Sequence, residues 1–194
     1  VLSREWSQRA DRPVLVSAYP GILFRFALEG MLDRSGADLL CLNSEQDLNI
    51  YRRGCQALGL ASDNAVVTGL PLLWNAKHHQ AAPDKSSIVF FEQPSIPVHP
   101  LQRRYICMKL KSLAEAWPDH PVIFKPRTSS IESTLHRRHG EMAGVIEQMS
   151  EIVPNLQLSF KPATRLLRQC GCAITVSSTA ALEAMAMGVS TRIV

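Results

Sequence analysis

The sequence predicts an α/β protein made of two doubly wound, parallel-sheet domains, both of them incomplete. Short apolar runs rich in β-branched residues alternate with helix-length segments whose apolar residues recur every three or four positions. The predicted strands are apolar throughout, which is typical of parallel sheets covered by helices on both faces. A polar stretch interrupts this alternation once. We therefore expect the end of an N-terminal domain over residues 1–75, a linker over 76–86 and a C-terminal domain over 87–194.

The N-terminal domain is predicted from strand and helix signals that follow one another along the chain. Asn43 and Ser44 offer N-cap oxygens to the second helix, and Gly59 closes that helix. From residue 72 to residue 87 the sequence becomes polar and the pattern breaks, which favours a linker. The predicted elements are strand 13–18, helix 22–32, strand 37–42, helix 45–58 and strand 65–68.

The C-terminal domain repeats the alternation with more elements. A proline-rich loop over residues 94–100 follows its first strand, and a polar loop over residues 128–140 follows its second. The predicted elements are strand 87–91, helix 101–117, strand 121–125, helix 141–152, strand 156–160, helix 163–169, strand 172–176, helix 179–187 and strand 190–194.

The composition is that of a globular protein with a sizeable core. Of the 194 residues, 46% are hydrophobic and 20% are charged. The formal net charge of +4 comes from small, scattered basic clusters, which suits a small anionic ligand and argues against a nucleic-acid interface. The chain starts at Val1 rather than at Met and ends in a segment that resembles the start of a strand, so we expect a fragment of a longer protein.

The cysteines and the hydropathy of the sequence indicate the cellular compartment of the protein. The five cysteines are odd in number and lack paired C-x-x-C spacing, which supports neither a disulfide framework nor a zinc site and fits a reducing cytoplasm. No apolar run approaches the roughly 18 residues of a membrane-spanning helix. We therefore expect a cytoplasmic protein without a transmembrane segment, a location that also allows peripheral association with the inner face of the membrane.

The segment from residue 172 to residue 188 carries the strongest chemical signal. A buried strand is followed by Ser177, Ser178 and Thr179, and a helix starts at once. Ligands of open parallel sheets bind at the carboxyl ends of strands, where these hydroxyls and the first N–H groups of a helix form a phosphate cradle. Glu183 lies about one and a half turns into that helix, where a carboxylate can accept both ribose hydroxyls. In the alternative interpretation, the hydroxyls only cap the helix and Glu183 is a surface residue.

The spacing from Ser177 to Glu183, the small residues within the helix and the closing Gly188 resemble the donor-nucleotide motif of GT-B glycosyltransferases and UDP-sugar 2-epimerases. In those families, small or hydroxylated residues after a strand hold the phosphate, and a Glu further along holds the ribose. The resemblance covers residues 87–194 and, more loosely, 37–71. It implies two Rossmann-like domains, the N-terminal one on the acceptor side. It also implies a nucleotide sugar as co-substrate, a glycan or other hydroxyl acceptor, and no further cofactor.

Among GT-B enzymes the sequence is similar to bacterial transferases of the capsule and lipooligosaccharide type that use CMP-sialic acid. Those enzymes carry a strand that ends in K-P-H-P, and here the corresponding residues are Lys125, Pro126 and Arg127 after Phe124. Arg127 occupies the position of the family's histidine, which acts on the nucleotide phosphate. An arginine can neutralise a phosphate through two hydrogen bonds but cannot shuttle a proton near neutral pH. The resemblance therefore implies nucleotide binding by Lys125 and electrostatic catalysis by Arg127.

Other basic residues are candidates for the same pocket. His99 is a candidate acid or phosphate partner, and its alternative is an ordinary loop residue. His136, Arg137 and Arg138 follow the Lys125 strand and are candidate donor contacts, with a solvated loop as the alternative. The sequence contains no D-x-D motif, so we expect no metal ligands and a metal-independent donor site. No catalytic base is assigned.

Three functions fit these features. The first is a GT-B glycosyltransferase that uses a CMP- or UDP-sugar in bacterial surface polysaccharide synthesis, such as capsule formation. The second is a sugar-nucleotide epimerase or hydrolase of the same fold, which would need acidic residues and a histidine in the cleft. The third is a non-catalytic nucleotide-binding or scaffold domain.

Overall fold

A computed structural model describes residues 11–19, 27–74, 86–93, 96–127 and 142–194. The chain divides into two compact units, Val1–Trp74 and Asn75–Val194. Each unit contains its own sheet, and every strand pairing in both sheets is parallel among the described residues. The predicted α/β class with parallel sheets is therefore confirmed. The predicted linker, apart from Ser86, lies outside the described residues.

The first unit alternates strands with helices along the chain. Its three-stranded sheet has the order β1-β2-β3, so each strand lies beside the next one in sequence. The elements are β1 (Val16–Ala18), α1 (Ala27–Leu32), β2 (Leu39–Leu42), α2 (Glu45–Ala57), β3 (Ala65–Val67) and α3 (Pro71–Trp74).

Helix α2 forms where the sequence places a cap and an apolar stripe. The Ser44 side chain accepts a hydrogen bond from the backbone N–H of Asp47, which satisfies one of the free donors of the first turn. Leu48, Tyr51 and Cys55 share one helix face and are buried in the core of this unit. The helix ends before Gly59, whose φ of 66° is a left-handed conformation that glycine adopts without strain.

One short element was not predicted. The interval assigned to a break in the pattern contains the single turn α3, which begins with Pro71. A proline fits the first turn of a helix because its missing N–H would have no helical partner there. The indole N–H of Trp74 donates to the carbonyl oxygen of Thr68 at 3.3 Å, which anchors the turn to the end of β3. A tertiary contact thus stabilises a segment that is too short to show helical periodicity.

The second unit contains a five-stranded sheet of order β6-β5-β4-β7-β8. The first strand of the unit is therefore central, two strands extend to one side, and the chain then returns to add two on the other. The elements are β4 (Ser87–Phe91), α4 (Pro100–Ala116), β5 (Val122–Lys125), α5 (Met142–Ser150), β6 (Leu156–Leu158), α6 (Ala163–Gln169), β7 (Cys170–Thr175), α7 (Ala180–Ala186) and β8 (Ser190–Ile193).

Both faces of this second sheet are covered, as a doubly wound fold requires. Side chains alternate across a strand, so Val89 and Phe91 point to one face of β4 and Phe90 to the other. Val89 and Phe91 belong to a core formed with α6 and α7, whereas Phe90 belongs to a core formed with α4 and α5. The direction of winding reverses between β4 and β7. In open parallel sheets, ligands bind at this reversal, beyond the carboxyl ends of the strands.

Candidate functional site

A cleft of about 280 Å³ opens at the reversal point of the second sheet. Its walls come from segments that follow the carboxyl ends of three adjacent strands and from the start of two helices. The described residues that line it are Phe91 and Glu92 after β4; Lys125, Pro126 and Arg127 at the end of β5; Ala163 of α6; and Ser178, Thr179, Ala180 and Glu183 at the start of α7.

The cleft brings together two of the three predicted hydroxyls. Ser178 Oγ accepts a hydrogen bond from the backbone N–H of Ala180 at 3.1 Å, so this side chain does cap the helix, as the alternative interpretation holds. A hydroxyl that accepts a hydrogen bond can still donate its own hydrogen to an anion. The Thr179 side chain makes no capping hydrogen bond. Ser177 is half-buried and, within the described part of the chain, does not belong to the lining of the cleft.

Helix α7 begins at the cleft but is only 7 residues long. Its dipole and the free N–H groups of its first turn therefore provide a modest attraction for an anion. The larger electrostatic contribution has to come from full charges, and these lie at the end of β5 and two residues after it.

Lys125 and Arg127 supply positive charge to the cleft. The Phe91–Lys125 pairing of β4 with β5 fixes the position of Lys125 along the sheet, and the Glu92 N–H donates to the Lys125 carbonyl at 3.0 Å. The Lys125 side chain is half-buried, and its ammonium donates to the carbonyl of Pro126 at 2.6 Å. Arg127 is exposed. An exposed guanidinium at the rim can swing onto a phosphate and make two parallel hydrogen bonds with it.

Glu183 lies in the first turn of α7 with its side chain toward the cleft. Burial raises the pKa of its carboxyl above the ordinary value, because the cleft wall removes water from the charged form. An ionised carboxylate that has lost part of its hydration gains most from accepting two hydroxyl hydrogens.

The cleft contains a second carboxylate, Glu92, that the sequence analysis did not assign to the site. Its side chain is 13% exposed, and Oε1 accepts a hydrogen bond from Nη2 of Arg103 at 2.5 Å. The Arg103 side chain is 4% exposed, and its Nη1 also donates to the carbonyl of Pro97 at 3.2 Å. Burial raises the pKa of Glu92, while the charge of Arg103, the backbone N–H of Arg127 and the charge of Lys125 act in the opposite direction. The only sequence signal was an acidic residue directly after a strand.

The four remaining candidates from the sequence are not among the described residues that line the cleft. His99 is exposed and is the N-cap of α4, where its Nδ1 accepts a hydrogen bond from the backbone N–H of Leu101 at 3.2 Å. It is not one of the described residues that line the cleft. The structure therefore gives His99 a capping contact and does not bring it to Lys125 and Arg127. His136, Arg137 and Arg138 lie outside the described residues.

The described residues contain neither a candidate metal site nor a candidate membrane-spanning helix. None of their His, Cys, Asp and Glu side chains form a group of three or more that could hold a metal ion. In the same residues, no helix combines the length and the hydropathy needed to cross a bilayer.

Several solved structures are similar to this chain at low sequence identity. HepE from Anabaena, solved in complex with UDP-glucose, is 13% identical with a TM-score of 0.49, and the match covers 91% of this chain and 52% of that one. The wall teichoic acid polymerase TagF is 13% identical with a TM-score of 0.49, and the match covers 88% of this chain and 42% of that one. For OtsA the identity is 12%, the TM-score 0.49 and the coverage 95% and 52%.

The chain thus spans about half of HepE and OtsA and less of TagF. A search of curated proteins gave no match. A family described as "Putative glycosyltransferase (DUF6716)" matches residues 1–194, and the chain belongs to that family.

Proposed function

We propose that the cleft of the second unit binds the nucleotide of a nucleotide-activated sugar and that the protein transfers this sugar to a hydroxyl of a glycan acceptor. The observation that carries the proposal is the convergence of two cations, two hydroxyls and two carboxylates where the second sheet reverses its winding. Membership of a glycosyltransferase family supports the transfer chemistry.

Different lining residues bind different parts of the nucleotide. Lys125 and Arg127 neutralise the phosphate oxygens, and the hydroxyls of Ser178 and Thr179 donate hydrogen bonds to the same oxygens. Glu183 accepts the ribose hydroxyls. The nucleotide sugar is a co-substrate, and no other cofactor is required.

The same cations serve the chemical step. When the bond between the sugar and the phosphate breaks, negative charge accumulates on the departing nucleotide, and positive groups fixed beside it stabilise that charge. Arg127 performs this role without donating a proton, because a guanidinium keeps its proton at any working pH. The acceptor hydroxyl must lose its proton to a base, and we assign none of the described residues to that role.

The proposal is tested by nucleotide binding to the full-length protein. A thermal-shift panel of CMP, UDP, GDP and ADP is expected to identify one nucleotide that raises the melting temperature of the wild type. Arg127→Ala and Ser178→Ala should each reduce that shift clearly at the same nucleotide concentration. CMP as the stabilising nucleotide would favour a sialyl-type donor, and UDP a UDP-sugar donor.

A matched control is Arg104→Ala, which removes an exposed arginine from α4, outside the lining of the cleft. This variant should keep the full shift. Equal shifts in the wild type and in Arg127→Ala would contradict the proposed site. Release of a free or epimerised sugar without any acceptor would point instead to the hydrolase or epimerase alternative.

The wider role follows from the same proposal. The proposal includes a role in bacterial surface polysaccharide synthesis in the cytoplasm, with peripheral association at the inner face of the membrane. The absence of a D-x-D motif from the sequence supports metal-independent transfer. Unchanged transfer in the presence of EDTA would agree with this, and a loss of activity restored by a divalent cation would contradict it.

A further inference from the structure

The charges in the lining of the cleft do not by themselves suit a phosphate. Lys125 and Arg127 contribute two positive charges, and Glu92 and Glu183 contribute two negative ones, so the formal charge of these four residues is zero. A phosphate gains little from a neutral cleft, and a carboxylate beside its cations weakens their field. Some further group must compensate for Glu92.

Arg103 is that group. It contacts Glu92 from α4, is not among the described residues that line the cleft, and is itself buried at 4% exposure. Besides its 2.5 Å contact with Glu92 Oε1, its Nη1 is within hydrogen-bond distance of the carbonyls of Pro97 and Gln93, at 3.2 Å and 3.4 Å. A guanidinium keeps its charge at any working pH, so Arg103 returns the cleft and its wall to a net positive charge.

Glu92 also connects the two strands that carry the cleft. The backbone N–H of Arg127 acts on the Glu92 carboxylate to lower its pKa, against the effect of burial, and the backbone N–H of Glu92 donates to the carbonyl of Lys125 at 3.0 Å. The residue directly after β4 thus bonds through its backbone to Lys125 and faces the N–H of Arg127 with its carboxylate, at the two ends of the segment that bears the cations.

We propose that Glu92 and Arg103 are a positioning pair for the phosphate-binding cations: Glu92 fixes the segment 125–127, and Arg103 cancels the negative charge that Glu92 brings into the cleft. The inference rests on the proposed nucleotide-binding function. It adds two residues that act through Lys125 and Arg127 rather than by contact with the phosphate.

The test measures the dissociation constant of UDP, with CMP in parallel, by calorimetry on the full-length protein. Arg103→Met leaves the Glu92 charge uncompensated, and we expect it to weaken nucleotide binding about tenfold. Glu92→Gln keeps an oxygen that can accept from the Arg127 N–H, and we expect it to bind within about threefold of the wild type. The double variant, Arg103→Met with Glu92→Gln, should also bind UDP within about threefold of the wild type, because it no longer contains the uncompensated carboxylate.

The pH dependence separates charge compensation from simple loss of structure. The groups that face the Glu92 carboxylate among the described residues are Arg103 and Cys107 of α4, Lys125 and Arg127 after β5, and Glu183 across the cleft. Without Arg103, a modest fall in pH should protonate Glu92 and restore binding relative to the wild type. The double variant has no carboxylate at this position and should show no such recovery.

A matched control is Lys111→Met, which breaks the ion pair with Glu115 on the same helix at 2.7 Å and should leave UDP binding unchanged. A wild type that binds nucleotide, with Arg103→Met binding equally well, would overturn the positioning pair and leave the proposed function intact. A wild type that binds no nucleotide would overturn both. If Arg103→Met does not fold, Glu92→Gln decides, because a tenfold loss in that variant would also contradict the inference.

Discussion

Thr175 Oγ1 donates a hydrogen bond of 2.9 Å to the carbonyl oxygen of Phe91, and both residues are buried. The two residues are register partners at the carboxyl ends of β7 and β4, the strands between which the winding of the sheet reverses. Glu92 directly follows Phe91, and Ser177 and Ser178 lie two and three positions after Thr175. This contact therefore ties together the two strand ends from which the cleft is built.

Thr175→Val removes that hydroxyl at nearly constant volume. We expect the free energy of unfolding to fall by about 1 to 2 kcal/mol, because a buried hydrogen bond is lost and an apolar methyl faces the Phe91 carbonyl. Urea denaturation followed by circular dichroism measures the change. Thr191→Val on β8 is the comparison, since its hydroxyl bonds to the nearby Val189 carbonyl and its loss should cost less than about 0.5 kcal/mol. Equal effects of the two substitutions would contradict this assignment.

The sequence and the structure give different predictions about which serine hydroxyl, Ser177 or Ser178, binds the nucleotide. The sequence assigns both hydroxyls to the nucleotide, whereas of the two only Ser178 lines the cleft as described. We expect Ser178→Ala to weaken UDP or CMP binding about tenfold, the typical effect of losing a hydrogen bond to a charged group. Ser177→Ala should leave the dissociation constant unchanged. A weakening by Ser177→Ala that equals the loss in Ser178→Ala would restore the original assignment.

Glu183 provides a prediction about ribose recognition and pH. If its carboxylate accepts the ribose hydroxyls, the wild type should bind UDP about tenfold more tightly than 2′-deoxy-UDP, and Glu183→Gln should lose most of this preference. Burial raises the pKa of Glu183, so the ionised form and the preference should be lost as pH falls through that raised value. Because both ligands carry the same diphosphate, its titration cancels in the ratio. A ratio that is constant with pH, or unchanged by Glu183→Gln, would contradict the role.

The raised pKa of Glu183 also affects the stability of the folded protein. A carboxyl whose pKa is higher in the folded protein binds its proton more tightly there than in the unfolded chain. Stability therefore decreases as pH rises from the ordinary value of 4.5 through the raised one. Glu183→Gln removes this loss, so the variant should be slightly more stable than the wild type at neutral pH and should lose that advantage in acid. Calorimetric melting temperatures at two pH values measure the difference.

The cap of α2 gives a prediction confined to the first unit. Ser44→Ala removes the acceptor of the Asp47 N–H, and we expect a loss of about 1 kcal/mol, with Ser44→Asn restoring most of it. Hydrogen–deuterium exchange of residues 45–57 reports this change locally, and the first turn should exchange faster in Ser44→Ala alone. Identical exchange in all three proteins would show that Ser44 does not stabilise the helix.

Much of this architecture could be predicted from local sequence. Strand β4 and helix α6 have the predicted bounds: polar residues flank the apolar β-branched run of β4, and Pro162 precedes the short amphipathic run of α6. The order of the strands in the sheet could not be predicted from local sequence, since it depends on which faces of distant segments pack together. That order is what brings Lys125 and Ser178, more than fifty positions apart in the sequence, to the same cleft.

The missed features share a physical cause. The Glu92–Arg103 pair joins a strand end to a helix across a proline-containing loop, and no periodicity relates the two residues. His99 was considered for catalysis, but a residue just before a proline at the start of a helix is also well placed to cap it, and the structure shows that contact. Local patterns predict the type of an element better than they predict the partner of a polar side chain.

The central position of β4 has a consequence for how the protein folds. Its hydrogen bond with β7 joins residues separated by 84 positions, so the chain has to close a long loop before the two strand ends meet. Non-local pairings of this kind form slowly compared with local ones. A folding intermediate that contained only β4, β5 and β6 would still lack one wall of the cleft. Recovery of nucleotide affinity during refolding should therefore report the completed sheet, later than the recovery of helical signal.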